Sequence, residues 1–359
     1  KILKYQLFYE DKKIKWKIRE KFMNATMSLE KTKHYPVMLN QVLSIISPQH
    51  GGTFIDCTFG GGGYSQAILK FPETKVFAID RDKLTQKHAN FLVKKFPKRF
   101  NFFQEKFSNL DKIVQQNLNP RAIIFDLGLS SFQLFDKERG FSFESKNFLN
   151  MEMGINEYSA YDVINTLDKE HLATIIKVLG EEKDGRLIAN KIDKYRRKKP
   201  IKTSQDLASI INDAKKNYNK YKKNPATKTF QAIRIFVNKE LTELILGLIG
   251  ATKLLSNGGT LIVVSFHSLE DKIVKNFFNL YSNLRKNPSR YLPIKENKSS
   301  LFKLISKKPL VADVREVNEN IRSRSAKLRY AIRNNSSFVY PNEFKKKFVN
   351  YLELEGGRI

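Results

Sequence analysis

Four consecutive glycines, at 60–63, stand between two carboxylates, Asp56 before them and Asp80 after them. Glycine lets a backbone come close to a ligand because no Cβ intervenes, and a helix opening directly behind such a loop offers unpaired N–H groups. An acid closing the next strand can accept hydrogen bonds from both hydroxyls of a ribose. Residues of these types in this order therefore hold a nucleoside-bearing ligand. Gly60 and Gly62 fit a dinucleotide fingerprint, but its third glycine is replaced by Ser65, and no Gly-Lys-Ser/Thr follows to make a phosphate loop. An acid ahead of the glycines, as Asp56 is, suits instead a ligand with a cationic amino-acid end, which describes S-adenosylmethionine.

These residues need elements that carry them to one edge. Residues 54–58, 75–79, 100–104 and 121–125 read as strands, the second and fourth closing at Asp80 and Asp126. Helical spacing of apolar residues marks 36–46 and the stretch from 64 to 69. Strands alternating with helices predict an α/β, doubly wound parallel sheet. The rhythm stops over 140–223, where 161–179, 189–197 and 204–214 look helical and no strand is convincing. Basic runs at 194–202 and 215–223 are either solvated faces or phosphate contacts. The alternation resumes with a long helix over 229–255, a strand over 260–265 and a helix over 268–278, where Ser268 and Asp271 fit a capping box. Short final strands are expected over 302–305 and 326–332.

The chain has 359 residues, enough for a full core and two domains. With 65 Lys and Arg against 36 Asp and Glu, its net charge of +29 favours a polyanionic partner. A lysine-rich composition throughout is the bland alternative. The longest apolar runs are too short to span a bilayer. Cys57 is the single cysteine, which precludes an intramolecular disulfide and points to a reducing compartment. The five histidines, at 34, 50, 88, 171 and 267, show no metal-ligand spacing, so no metal is expected. Residues 1–33 are basic with interspersed aromatics and lack the continuous apolar region of a signal peptide.

Eight segments together resemble one family: H-Y-P-V-M-L (34–39), D-C-T-F-G-G-G-G-Y-S (56–65), A-I-D-R-D (78–82), D-L-G-L-S-S-F-Q-L (126–134), E-R-G-F-S-F (138–143), P-A-T-K-T-F-Q-A-I-R-I-F-V-N (225–238), V-S-F-H-S-L-E-D-K-I-V-K (264–275) and R-S-R-S-A-K-L-R (322–329). In this order they resemble the RsmH (MraW) family, S-adenosylmethionine-dependent methyltransferases of cytosine N4 in 16S ribosomal RNA. The resemblance implies a Rossmann-like class I methyltransferase sheet with an inserted all-helical domain. Residues 34–139 and 224–335 would form the methyltransferase domain and 140–223 the insertion, with a basic extension at 1–33 and a tail at 336–359. It further implies cofactor contacts from Gly62, Gly63, Tyr64, Asp80, Phe107, Asp126 and Gln133. The family more often has His at position 64. A second departure is L-N-M-E-M (149–153), where the family usually has L-D-M-R-M, so Asn150 and Glu152 replace an acid and a base together. The loss of a salt bridge and a changed substrate contact are the two readings of that exchange.

A cytosine N4 amine is a poor nucleophile, its lone pair being delocalised into the ring. Carbon-5 methylation would need a cysteine nucleophile, and Cys57 sits inside the first strand as a small packed residue. Direct in-line transfer remains, with the amine held near the methyl group. Asp126, at the end of the fourth strand, is the polar group expected to hold the amine, supported by Ser130 and Ser131; orienting the cofactor is its competing role. His267, just beyond the fifth strand, either meets the nucleotide or takes up a proton, or serves only to start the next helix. Lys228, Arg234, Arg322, Arg324, Lys327 and Arg329 are candidates for RNA phosphates, with an internal ion pair as the alternative for Arg234. The partner so implied is 16S-type rRNA in the small ribosomal subunit, met in a bacterial cytoplasm or, alternatively, a mitochondrial matrix. A homodimer is compatible with the sequence. An RNA-binding assembly factor that keeps the fold without activity, and a Rossmann oxidoreductase, are the rival functions.

Overall fold

The computed structural model describes residues 36–114, 118–215, 224–282 and 300–356, with the backbone alone at Ser131 and Phe135. The extension at 1–33 and most of the basic run at 215–223 lie outside the described residues. Seven strands form one sheet: β1 (Gly52–Asp56), β2 (Thr74–Asp80), β3 (Phe100–Gln104), β4 (Ala122–Asp126), β5 (Thr260–Ser265), β6 (Phe302–Leu304) and β7 (Lys327–Arg333). Their spatial order is β3-β2-β1-β4-β5-β7-β6. The first five run parallel, and β7 joins β5 and β6 antiparallel. Chain direction along the sheet reverses between β1 and β4, the switch point where α/β sheets open a crevice at their carboxyl ends. Registers put Asp56 opposite both Ala78 and Ile124, Asp80 opposite Gln104, and Asp126 opposite Val264, so all three acids end their strands at that edge.

The central strands are continuous apolar runs because helices cover both faces of a parallel sheet. Ala122 to Phe125 and all of β5 are buried. Phe54, Val76, Ile124, Ile262 and Leu328 share a core with helix Leu39–Ile46, whose Leu39, Val42, Leu43 and Ile46 point inward. Each such side chain contributes about 1.5–3 kcal/mol when fully buried, more than a surface ion pair at about 0–1 kcal/mol. Apolar burial therefore holds the site-bearing edge, and the polar residues on it are left to function.

By its contacts the chain divides into two compact units, one of Lys1–Asp80, Leu84–Gly128 and Ile249–Tyr340, the other of Arg81–Lys83, Leu129–Leu248 and Pro341–Ile359. The first carries the sheet. The second is helical, and several helices that the periodicity merges are separate there. The expected helix at 161–179 divides into Ala160–Thr166 and Lys169–Leu179, because Asp168 turns extended and its side chain accepts the His171 N–H at 2.8 Å. The long helix expected over 229–255 breaks at Lys239, which has φ 50°, into Thr227–Asn238 and Glu240–Leu254. Asn238 explains the break: its amide donates to Met151 O and Arg234 O and its carbonyl accepts the Met153 N–H, all at 2.8 Å. Among the described residues no helix is long and apolar enough to cross a membrane.

Candidate active site

The glycine loop is fastened from below by two acids. Asp80 Oδ2 accepts the Gly60 N–H at 2.7 Å. Asp56 is fully buried; its Oδ2 accepts from Ser65 Oγ at 2.7 Å and its Oδ1 from the Thr58 N–H at 3.3 Å. Burial raises the Asp56 pKa to about 6 against the lowering effect of the Ser65 hydroxyl and the Thr58 and Ser65 N–H groups. Asp56, the acid expected to face a ligand's ammonium group, thus also supports the loop through hydrogen bonds from Thr58 and Ser65. Thr58 also ties the strands together, its hydroxyl accepting the Asp126 N–H at 2.7 Å.

Gly60 and Gly62 have φ 52° and 76°, and a Cβ on Gly62 would lie 2.7 Å from the Phe59 ring. Gly63 opens helix Gly63–Leu69, and a Cβ there would lie 2.3 Å from Pro36 Cγ. Tyr64 is buried, and its hydroxyl donates to Val37 O. Its side chain thus binds the segment before the first helix. Phe107 starts a short 3-10 turn and packs edge-on against Phe125 with ring centroids 5.3 Å apart. Cys57 is buried and its thiol pKa is pushed well up by burial and by Asp56, so it is no nucleophile.

Asp126 ends β4 with Oδ1 buried and without a hydrogen-bond partner among the described residues. Burial is the chief cause of its pKa rising to about 8; Arg322 opposes the rise, and Asp56, Glu270 and Glu316 add to it. A buried acceptor without a donor costs about 1–3 kcal/mol, so this oxygen is suited to a donor that arrives with a ligand. His267 is the N-cap of helix Ser268–Tyr281, displacing the Ser268 cap read from sequence: its Nδ1 accepts the Glu270 N–H at 3.4 Å, and Glu270 Oε2 accepts the His267 N–H at 3.3 Å. His267 Nε2 lies 3.2 Å from Glu270 Oε1 but off the hydrogen-bonding direction, and is otherwise without a partner. With Nδ1 accepting, the ring proton belongs on Nε2.

In the helical unit, Ser130 caps helix Ser131–Phe135, accepting the Gln133 N–H at 3.3 Å while Gln133 Oε1 accepts the Ser130 N–H at 2.9 Å. The Ser131 side chain lies outside the described residues. Gln133 Nε2 donates to Asp82 Oδ2 at 2.9 Å, and Arg139 grips the same carboxylate with two nitrogens at 2.6 and 2.9 Å. Arg81 donates to Gly154 O and Asn238 O. Asn150 Oδ1 accepts the Glu152 N–H at 2.9 Å, so this departure makes a local turn. Arg81 and Asp82 are supports that the sequence reading passed over, although A-I-D-R-D carried both in plain view.

The basic candidates separate by partner. Arg329 is buried and pairs with Asp271 at 2.7 Å, and Arg234 pairs with Glu240 at 2.7 Å. Both form internal ion pairs, the alternative expected for Arg234, and each guanidinium lies beside a carboxylate that neutralises it. Lys327 shares Asp271 at 3.2 Å but keeps its side chain 43% exposed. Arg322 is half-buried with its charge acting on Asp126. Arg324 and Lys228 are exposed, the latter donating to Glu181 O.

Residues 31–334 match the model of the MraW methylase family. The chain belongs to that family. It is 45% identical to the ribosomal RNA small subunit methyltransferase H of Ehrlichia chaffeensis, over 82% of this chain and 98% of the relative. The proteins of the same name from Wolbachia and Afipia carboxidovorans are 44% and 41% identical, over 82% and 86% of this chain and 97% and 92% of theirs. As in other MraW methylases, the cofactor is S-adenosylmethionine. The glycine cradle at 60–63 and the carboxylate of Asp80 at the end of β2 fit that group.

Proposed function

We propose that this MraW methylase transfers a methyl group to the N4 amine of a cytidine in small-subunit ribosomal RNA. The observation that carries the reading is the buried, unpartnered Asp126 Oδ1 at the carboxyl end of β4. S-adenosylmethionine, when bound, supplies an electrophilic methyl on a sulfonium. Asp126 Oδ1 accepts a hydrogen bond from the amine, which orients the nitrogen for in-line attack. Transfer leaves a strongly acidic nitrogen, and a carboxylate whose pKa stands at about 8 is basic enough to take the released proton. Arg322 keeps part of the Asp126 population ionised near neutrality by opposing the effect of burial. His267, held as a cap, keeps an Nε2–H for the nucleotide. Phosphate contacts are assigned to Lys228, Arg324 and the exposed part of Lys327, and not to Arg234 or Arg329. The bacterial relatives support action in a cytoplasm on the small subunit.

The test is incubation with labelled S-adenosylmethionine and unmodified small subunits, followed by digestion and identification of the labelled nucleoside. N4-methylcytidine at one site is the expected result. Label at carbon 5, or RNA binding with no label, would overturn the reading, the latter in favour of an assembly factor.

A further inference from the structure

Helix Gln86–Lys95 follows β2 and leads to β3, the edge strand at the end of the sheet away from β6. Ala89 and Leu92 are its buried residues. The opposite face carries Lys87, Phe91, Lys94 and Lys95, positions that recur at helical spacing, and Lys98 follows just past its end. All five are exposed, and Phe91 keeps 56% of its surface in solvent. The Lys95 ammonium stands 5.6 Å from the centroids of both Phe91 and Phe96, which presents the Phe91 ring within a cationic rim.

Residues 84–103 hold Lys87, Lys94, Lys95, Lys98 and Arg99 and no Asp or Glu. Arg99 is structural, donating to the carbonyls of Leu69, Phe71, Pro72 and Thr74. The four lysines have no carboxylate partner among the described residues, unlike Lys215, Arg234, Lys239 and Arg329, each of which has one. Lys70 adds a further cation: its pKa is lowered by burial and then by Lys95, so the two ammonium groups lie close enough to repel. Lys87, Lys94, Lys95 and Lys98 around an exposed aromatic ring match a polyanion with stackable rings, since phosphates take the lysines and a base takes the ring.

We propose that this face is a second RNA-binding surface, engaging rRNA phosphates through Lys87, Lys94, Lys95 and Lys98 and stacking an unpaired base on Phe91. The inference rests on the ribosomal RNA reading. Its test measures binding of wild-type protein, Lys94→Gln/Lys98→Gln and Phe91→Ser to small ribosomal subunits across a salt series, with S-adenosylmethionine affinity as the control for folding. Each phosphate contact adds about 0.7–0.9 to the slope of log K against log salt, so the double lysine variant should lose roughly 1.5 of that slope. Phe91→Ser should weaken binding about fivefold or more with the slope unchanged, because stacking is not an ionic term. Unchanged slope and affinity in both variants beside a steep wild-type slope would overturn this surface alone. A wild-type affinity independent of salt would overturn the RNA reading with it. Loss of binding to phosphatidylserine vesicles with subunit binding intact would overturn the RNA assignment in favour of a membrane.

Discussion

Asp126 carries the proposed chemistry on one atom, its buried Oδ1. Its strand-end position was legible because a strand followed by Asp-Leu-Gly is a local pattern. Its electrostatics were not, since Arg322 reaches it only through the antiparallel entry of β7, a pairing no local pattern encodes. Asp56 is legible only in part for a related reason: the sequence shows an acid before glycines, but only the fold shows that Ser65 and Thr58 donate to its oxygens. If Asp126 accepts the proton, its carboxylate form is the active one. Its raised pKa then places the rise of kcat/KM with pH at a midpoint near 8, with a plateau above it. Asp126→Asn should lower kcat by about 10²–10⁴-fold, the range of a lost general base, while the protein stays folded. Arg322→Gln removes the influence that lowers the Asp126 pKa, so the midpoint should move to higher pH. A profile flat from pH 6 to 9 would remove Asp126 from proton transfer.

At the scale of elements, five parallel strands and the order of the helices between them were readable, because each is a short apolar run bounded by turn residues. The breaks at Asp168 and Lys239 were not, because apolar periodicity continues across them and the cause is polar and, for Lys239, distant: Asn238 bonds to Met151 and Met153. The cofactor loop shows the same mixture. Its glycines are obvious, but the need for one at position 63 comes from Pro36 pressing on it. Gly63→Ala puts a Cβ 2.3 Å from a ring that cannot rotate away, so the loop or the Pro36 segment must move. Overpacking of this kind costs about 1–3 kcal/mol, and the loop is the element that yields with least loss of core. The expected outcome is S-adenosylmethionine affinity lowered by about tenfold in calorimetry with the melting temperature reduced by a few degrees. An unchanged affinity would mean that the loop holds its place without Pro36.

At the scale of the whole chain, the family match stops at residue 334, yet the residues beyond it are structurally engaged. Helix Val349–Gly356 supplies Glu355, which is fully buried within the helical unit. Its Oε1 accepts the Leu241 N–H at 3.2 Å, and its Oε2 accepts the Thr242 N–H at 2.7 Å and the Thr242 hydroxyl at 2.5 Å. These donors belong to the first turn of helix Glu240–Leu254, whose N–H groups lack partners within the helix. In sequence this segment reads as a tail because L-E-L-E (352–355) gives no sign that one glutamate caps a helix more than a hundred residues earlier. Burial raises the Glu355 pKa from 4.5 to about 8, against the three donors and with Glu240 adding to the rise. A raised carboxyl binds its proton more tightly when folded than when unfolded. Its stability contribution is therefore complete below pH 4.5 and is lost as pH climbs through 8, by at most about 1.4 kcal/mol per pH unit. Glu355→Gln keeps an acceptor oxygen but cannot ionise, so it should be relatively more stable against wild type at pH 8 than at pH 5 in denaturant unfolding. Glu355→Ala should instead speed amide exchange at Leu241 and Thr242 at both pH values, because the first turn loses its acceptor outright. A stability gap between wild type and Glu355→Gln that does not change with pH would show that Glu355 stays ionised, and that its three donors outweigh the cost of burial.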